Sequence, residues 1–400
     1  MSRRLEKPAR CTSNSSTEGN LPYGRQLVDE DDIGAVTEVL RSDWLTTGPK
    51  IGEFEERFRE FVGAKEAVAV SSGTAALHAA MHAIGVGPND EVIVPAMTFV
   101  ATANCIAFQG GTPVFVDVTS ENLLIDPEEV EAKLTSRTKA IIAVDYAGHP
   151  CEYETLRKLA AKHGLVLIAD ACHSLGGSYR GKPVGSLADL STFSFHPVKA
   201  ITAGEGGMVT TDDPSFARRL RLFRNHGITS DSRDRDSRAT WFYEMVDLGY
   251  NYRLTDFQCA LAESQLKKLA QWIVRRQEIA RAYDAFFTRI PSARPLRWVG
   301  DISHAYHLYV VRLDLSLMKV DRAIIFELLR ADGIRVGVHY IPVHLHPYYQ
   351  MRFGTRPGMC PVAESSYEEI LSLPIFPGMT EEEVERVISA VERVLEAHAK

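Results

Sequence analysis

The stretch KAIIAVDYAGHPCEYETLRKLAAKHGLVLIAD, residues 139–170, decides the fold. Two continuous apolar runs, KAIIAVDY and LVLIAD, flank an amphipathic helical pattern, EYETLRKLAAKHG. Strands without polar alternation are buried on both faces, and that is the habit of parallel sheets covered by helices. Working outward, the same alternation extends from about Ala67 to Phe195: AVAVSS then GTAALHAAMHAIG, EVIVPAM then FVATANCIAFQG, TPVFVDV then DPEEVEAKLT. STFSF and GGMVTTDD extend the sheet, and a long helical region follows from Thr255 to about Arg289. The fold class is therefore α/β, with a large, mostly parallel sheet domain assigned to residues 21–275.

After IPSARP the pattern changes to a strand (AYHLYVVRLD), a helix (DRAIIFELLRADG), a second strand (IRVGVHY) and a closing amphipathic helix from Glu381 to about His398. These elements predict a smaller α+β domain over residues 276–400. Residues 1–20 are polar and aperiodic, the composition of a disordered extension. Between Ile228 and Thr240, ITSDSRDRDSRAT reads as a charge-rich loop, either a lid or a solvated insertion.

Four hundred residues with 45% hydrophobic content suffice for a large core, and a formal net charge of −7 offers no basic surface for nucleic acid. The six cysteines lie far apart without a CxxC pair, so neither a metal site nor a disulfide framework is indicated, and a reducing cytoplasm suits them. No apolar run approaches the roughly 20 residues that span a bilayer, so no membrane association is expected.

Ligands of open α/β sheets bind beyond the carboxyl ends of the strands. At one such end, SSGTAAL places Gly73 and Thr74 where a strand turns into a helix, a position that favours phosphate. At a second, Phe99 follows a strand and could cover a planar ligand. At a third, Asp170 closes a very apolar strand, and a carboxylate there requires a cationic partner. At a fourth, SFHPVKAITAGEGG carries Lys199, an amine suited to a Schiff base with an aldehyde. A single ligand meets all four demands, with a phosphate for Gly73, Thr74 and Ser194, a flat ring for Phe99, a ring nitrogen for Asp170 and an aldehyde for Lys199. That ligand is pyridoxal 5′-phosphate.

The segments SSGTAALHAA, DEVIVPAMTFVATANCI, DACHSLGG, FSFHPVKAITAGEGGMVTTDD and LGYNYRLTDFQCALAESQLKKL resemble the DegT/DnrJ/EryC1/StrS sugar aminotransferases, pyridoxal-phosphate enzymes of fold type I. The resemblance runs from about Pro22 to the C-terminus. It implies that Lys199 and Asp170 are catalytic and that Gly73, Thr74, Phe99, His173 and Ser194 contact the cofactor. It also implies a homodimer with shared active sites, in which Asn251 of GYNYR reaches the neighbouring cofactor. Many members carry glutamine where this chain has His173, whose role is either support or acid–base work. Within the family, the chain is most similar to the branch that aminates C4 of a UDP-linked 2-acetamido-2,6-dideoxy-4-keto-hexose for pseudaminic acid. That likeness implies substrate contacts at Tyr23, at Asp43, Trp44, Leu45 and Thr46, at Gly337, Val338, His339 and Tyr340, and at His344 in preference to His346.

The resemblance thus implies transfer of the amino group of L-glutamate to a nucleotide-linked keto-sugar. The related sugar 3-dehydratases carry histidine in place of the lysine, so Lys199 argues for transamination over elimination. Three alternatives stay open. One is an aminotransferase for another nucleotide 4-keto-sugar, of the perosamine or dTDP-sugar type, another is a non-catalytic binding module on the same fold, and the third is an amino-shikimate-type carbocycle synthase, whose acceptor is not a nucleotide.

Overall fold

The computed structural model describes residues 19–400 except 231 and 299, so the extension expected over 1–20 lies almost wholly outside the described residues. Seven strands form the main sheet: β1 (Glu66–Val70), β2 (Glu91–Pro95), β3 (Thr112–Val116), β4 (Thr138–Val144), β5 (Val166–Asp170), β6 (Leu190–Ser194) and β7 (Gly207–Thr211). Their spatial order is β1-β7-β6-β5-β4-β2-β3. β7 runs antiparallel to both its neighbours, and every other pairing is parallel. Strands β2 and β7 are buried along their whole length, as their apolar runs require. Helices cover both faces, and the carboxyl ends of β1, β2, β5 and β6 bring Ser72, Phe99, Asp170 and Ser194 to one cavity.

The antiparallel strand returns the chain to the same edge of the cavity. β7 begins at Gly207, where a Cβ would lie 2.4 Å from the Ser72 carbonyl oxygen. Between β6 and β7 the loop closes on itself: Phe195 N donates to Gly206 O at 2.8 Å, and Ala203 N donates to Phe195 O at 2.9 Å. Phe195 packs into the core against Phe54 and Phe58, so the loop that carries Lys199 is anchored from below.

The long helical region predicted from Thr255 divides into Asp256–Leu266 and Leu269–Phe287. Lys268 holds the break, its ammonium 2.9 Å from the buried Asp32. The second helix spans the expected division at 275/276. Its first half contributes Leu269, Trp272 and Ile273 to the main core, and its second half contributes Ile279, Tyr283 and Phe286 to a separate core shared with the closing helix Glu381–Ala397. Beside that core lies a three-stranded antiparallel sheet of β8 (Ala293–Pro295), β9 (Tyr309–Leu313) and β10 (Ile370–Leu373).

Two expected strands are shorter or absent. AYHLYVVRLD becomes extended only at Tyr309, because residues 305–308 are bound to the loop after β4: Ala305 N donates to Gly148 O and Leu308 N to Ala147 O. IRVGVHY forms no ladder. Ile334 bridges Leu21 and Gly337 bridges Ser372, and this change of partner turns the chain so that His339 and Tyr340 enter the cavity. The loop expected over 228–240 contains a short helix, Ser232–Ser237. Among the described residues no helix is long and apolar enough to cross a membrane, no group of side chains could hold a metal ion, and Cys105, Cys151, Cys172, Cys259 and Cys360 are free.

Arg276 is fully buried on the helix joining the two cores and donates to the carbonyls of Tyr306 (3.0 Å) and Ile375 (2.9 Å), with no carboxylate partner. Burial lowers its pKa to about 10, yet it stays charged at neutral pH. Arg276→Met leaves both carbonyls without a donor, and is expected to cost about 2–4 kcal/mol in a denaturant melt.

Candidate active site

A cavity of about 460 Å³ opens at the strand ends. One end of it is a helix N-terminus. Ser72 caps the helix Gly73–Ala83 by accepting from Ala75 N at 3.0 Å, while the amides of Gly73 and Thr74 have no protein acceptor. These two amides, the exposed Thr74 hydroxyl and Ser194 Oγ form a cradle of donors at the positive end of the helix. Gly73 must be glycine, since a Cβ there would lie 2.8 Å from Ser194 Cβ and 3.2 Å from its hydroxyl.

Asp170, 6% exposed, closes β5 at the cavity floor. Thr102 Oγ1 donates to its Oδ2 at 2.7 Å and Cys172 N to its Oδ1 at 3.3 Å, and no lysine or arginine forms an ion pair with it among the described residues. A buried carboxylate held by neutral donors alone fits a cationic ring nitrogen, whose charge would offset the desolvation cost. The turn after it is pinned by Asp145 at the end of β4, which accepts from Ser174 Oγ at 2.5 Å, Tyr153 Oη at 2.8 Å and Cys151 N at 2.9 Å. Phe99 lines the cavity with 54% of its surface exposed, a ring placed to lie on a ligand and not in the core.

Lys199 enters the same cavity, and burial lowers the pKa of its amine while Cys172 and Asp170 oppose the shift. A lowered pKa moves the amine toward the neutral form that Schiff-base formation needs. Three imidazoles, His173, His307 and His339, line the same wall. Burial, with the nearby Lys199 cation, depresses all three pKa values, that of His339 to about 4. His173 Nε2 lies 3.1 Å from Tyr340 Oη, and His339 Nδ1 lies 2.8 Å from Ser372 Oγ while its ring rests beside Tyr23.

The cavity therefore gathers Tyr23, Gly73, Thr74, Phe99, Asp170, His173, Ser194, Lys199, His339 and Tyr340 from the residues singled out in the sequence. The others lie elsewhere. Asp43, Trp44, Leu45 and Thr46 form an exposed loop tied by Leu45 O to Asp256 N. Gly337 and Val338 lie behind the wall, where the absence of a Cβ at Gly337 admits the His339 ring, otherwise 2.7 Å away. His344 is fully buried and paired with Glu364 at 2.8 Å, outside the lining, because its segment turns into the core beside Phe115. Asn251 is exposed and bridges Asn225 at the rim of a second cavity of about 470 Å³, which Arg253 and four other arginines line. Sequence reasoning missed His307, Cys172 and Glu205 as lining residues. For His307 the sole signal was an imidazole inside the apolar run AYHLYVV.

The family model described as the DegT/DnrJ/EryC1/StrS aminotransferase family matches residues 26–392. The spore coat polysaccharide biosynthesis protein SpsC of Bacillus subtilis is 42% identical over 377 residues, covering 94% of this chain and 97% of SpsC. The structure of Helicobacter pylori PseC, an aminotransferase involved in the biosynthesis of pseudaminic acid, superposes with a TM-score of 0.88 at 35% identity over 94% of this chain and 100% of that one. The PLP-form of Spr1654 from Streptococcus pneumoniae gives a TM-score of 0.88 at 32% identity, over 94% and 99% of the two chains.

Two outcomes are expected from this site. Gly73→Ala pushes Ser194 out of the cradle, and dialysis followed by absorbance is expected to show pyridoxal phosphate retained at least ~10-fold more weakly. The second concerns pH. Burial lowers the pKa of His78, which lies outside the cavity against Tyr252 and Gln109, and of His339 within it, from 6.5 to about 4 in the folded chain. Between those values the unfolded chain binds more protons, so stability is fully present above 6.5 and lost as pH falls. The thermal midpoint of the apoprotein is expected to drop between pH 6.5 and 4.

Proposed function

The chain belongs to the DegT/DnrJ/EryC1/StrS aminotransferase family, whose members depend on pyridoxal phosphate, and on that premise we propose that it moves the amino group of L-glutamate to C4 of a UDP-linked 2-acetamido-2,6-dideoxy-4-keto-hexose, a step toward pseudaminic acid. The observation that carries the chemistry is the meeting of a buried carboxylate without an ion-pair contact, Asp170, and a desolvated amine, Lys199, in one cavity. The likeness to PseC over almost the whole chain supports the choice of sugar.

When bound, the cofactor supplies an aldehyde carbon and a ring that accepts electrons. Asp170 holds a proton at the ring nitrogen, and the Thr102 hydroxyl keeps that carboxylate oriented. The cradle of Gly73, Thr74 and Ser194 anchors the phosphate, and Phe99 covers the ring. Lys199 Nζ, once free, takes the proton from the α-carbon of the amino donor and later delivers one to C4 of the sugar. The closely packed walls of Tyr23, His339 and Tyr340 restrict water at the reacting carbon and contact the sugar. His173 supports this wall through Tyr340, in keeping with a neutral, hydrogen-bonded role.

The assembly belongs to the same proposal. Trp241 is 84% exposed, and Phe242, Tyr243, Met245, Val246 and Leu248 beside it are also exposed, leading directly into Asn251. An apolar face of this kind suits a second copy of the chain, with Asn251 completing the neighbour's phosphate cradle. The exposed loop Asp43–Thr46 is proposed to reach substrate in that dimer, and the cytoplasm, where nucleotide sugars are made, is the proposed site of action.

The 42% identity to SpsC, a polysaccharide biosynthesis protein, favours a second reading in which the acceptor is another nucleotide 4-keto-sugar. Incubating the protein with L-glutamate and a panel of UDP-, GDP- and dTDP-4-keto sugars separates the two, with amine formation read by mass spectrometry. The UDP 2-acetamido sugar is expected to turn over fastest, and preference for a GDP or dTDP sugar would reject it. Lys199→Ala is expected to lower turnover at least ~10⁴-fold and to abolish the absorbance of covalently held cofactor.

A further inference from the structure

His307 occupies a position on which the fold spends backbone strain. Ala147 (φ 59°) and Tyr306 (φ 48°) are both left-handed without being glycine, and Gly148, next to Ala147, has φ 103°. A Cβ on Gly148 would lie 2.8 Å from Tyr306 N, 3.0 Å from His307 N and 2.9 Å from His173 O. The buried Arg276 also grips the Tyr306 carbonyl. Strain of this kind persists where the surroundings fix it, and here it delivers one imidazole, 7% exposed, to the cavity wall with its ring 4.3 Å from that of His173.

The tautomers follow from partners. His307 Nδ1 is fully buried with no hydrogen-bond partner, while its Nε2 makes no protein hydrogen bond and is not sealed from the cavity. A proton on Nδ1 would have no acceptor, so the neutral ring carries it on Nε2, the nitrogen open to a ligand. Burial and the neighbouring cations keep this ring uncharged. His173 obeys the same logic. Its Nδ1 is also buried without a partner, so Nε2–H donates to Tyr340 Oη and frees the phenolic proton for the cavity. The wall therefore presents two neutral donors, His307 Nε2–H and Tyr340 O–H.

The cavity needs donors for an anion. Among the described residues of a single chain no arginine lines it, its one lysine is Lys199, and it holds two acids, Asp170 and Glu205. An amino-acid donor brings carboxylate groups into this space after Lys199 is committed to the cofactor. We propose that His307 Nε2–H and the Tyr340 hydroxyl bind a carboxylate of the amino donor, which makes His307 a further substrate-binding residue. This inference rests on the donor assigned above.

The test uses the holoenzyme and the first half-reaction alone. L-Glutamate is titrated without sugar, and the loss of the cofactor's long-wavelength absorbance is followed by stopped flow for the wild type, His307→Leu and His307→Gln. His307→Leu is expected to raise the half-saturating glutamate concentration about 10- to 100-fold, as loss of a hydrogen bond to a charged group should. The resting spectrum, the cofactor content and the rate at saturation are expected to stay within about twofold, and His307→Gln, which keeps an N–H donor, is expected to recover most of the affinity. Unchanged half-saturation in His307→Leu overturns the proposal. So does an equal loss in both variants with an altered resting spectrum, since that pattern marks a purely structural histidine. A wild type unreactive toward L-glutamate but reactive toward another amino compound overturns the donor itself, and this inference with it.

Discussion

A buried carboxylate with no contact ion pair among the described residues governs this molecule. Asp170 ends the central strand β5 with only a threonine hydroxyl and a backbone amide as hydrogen-bond donors, and an isolated charge in such a place costs several kcal/mol. The sheet, the Thr98–Thr102 hydroxyl pair and the Asp145 network hold it there in spite of that cost. On the proposed function a cationic ring would offset that cost and so link cofactor binding to the stability of the strand ends. The lysine loop, the glycine cradle and the exposed phenylalanine all face the same cavity.

The parallel sheet was legible because its signal is redundant. Each apolar strand and each amphipathic helix between 67 and 195 repeats the same periodicity, and tertiary packing agrees with it. The four strand-end residues were legible for a related reason, since a topological rule fixes where ligands bind and only a few polar residues stand there. The antiparallel direction of β7 was not legible. It depends on the loop 195–206 doubling back through Phe195, and the apolar pattern of a strand is the same in either direction.

The wall supplied by the C-terminal third was harder to read. The segment IRVGVHY has strand composition, yet it changes hydrogen-bond partner between Leu21 and Ser372, and it is that change which presents His339 and Tyr340. His307 precedes a true strand and is presented by left-handed residues that propensity does not favour. His344 differs in the opposite sense, as an imidazole near the site in sequence that is buried in the core and paired there with the partly buried Glu364. In each case long-range contacts, not local pattern, decide the direction of the side chain.

The cavity is a seam between two contributors. Lys199, Asp170, Ser194 and the Gly73 cradle come from the sheet domain, whereas His307, His339 and Tyr340 come from the C-terminal third, beyond the helix that bridges the cores. On the function proposed above, most groups assigned to the cofactor and most of those assigned to substrate come from different stretches of sequence, with Tyr23 a substrate-facing exception from the N-terminal side. Substitutions between residues 304 and 340 would then bear first on which partners the reaction accepts, and substitutions at the strand ends on its chemistry.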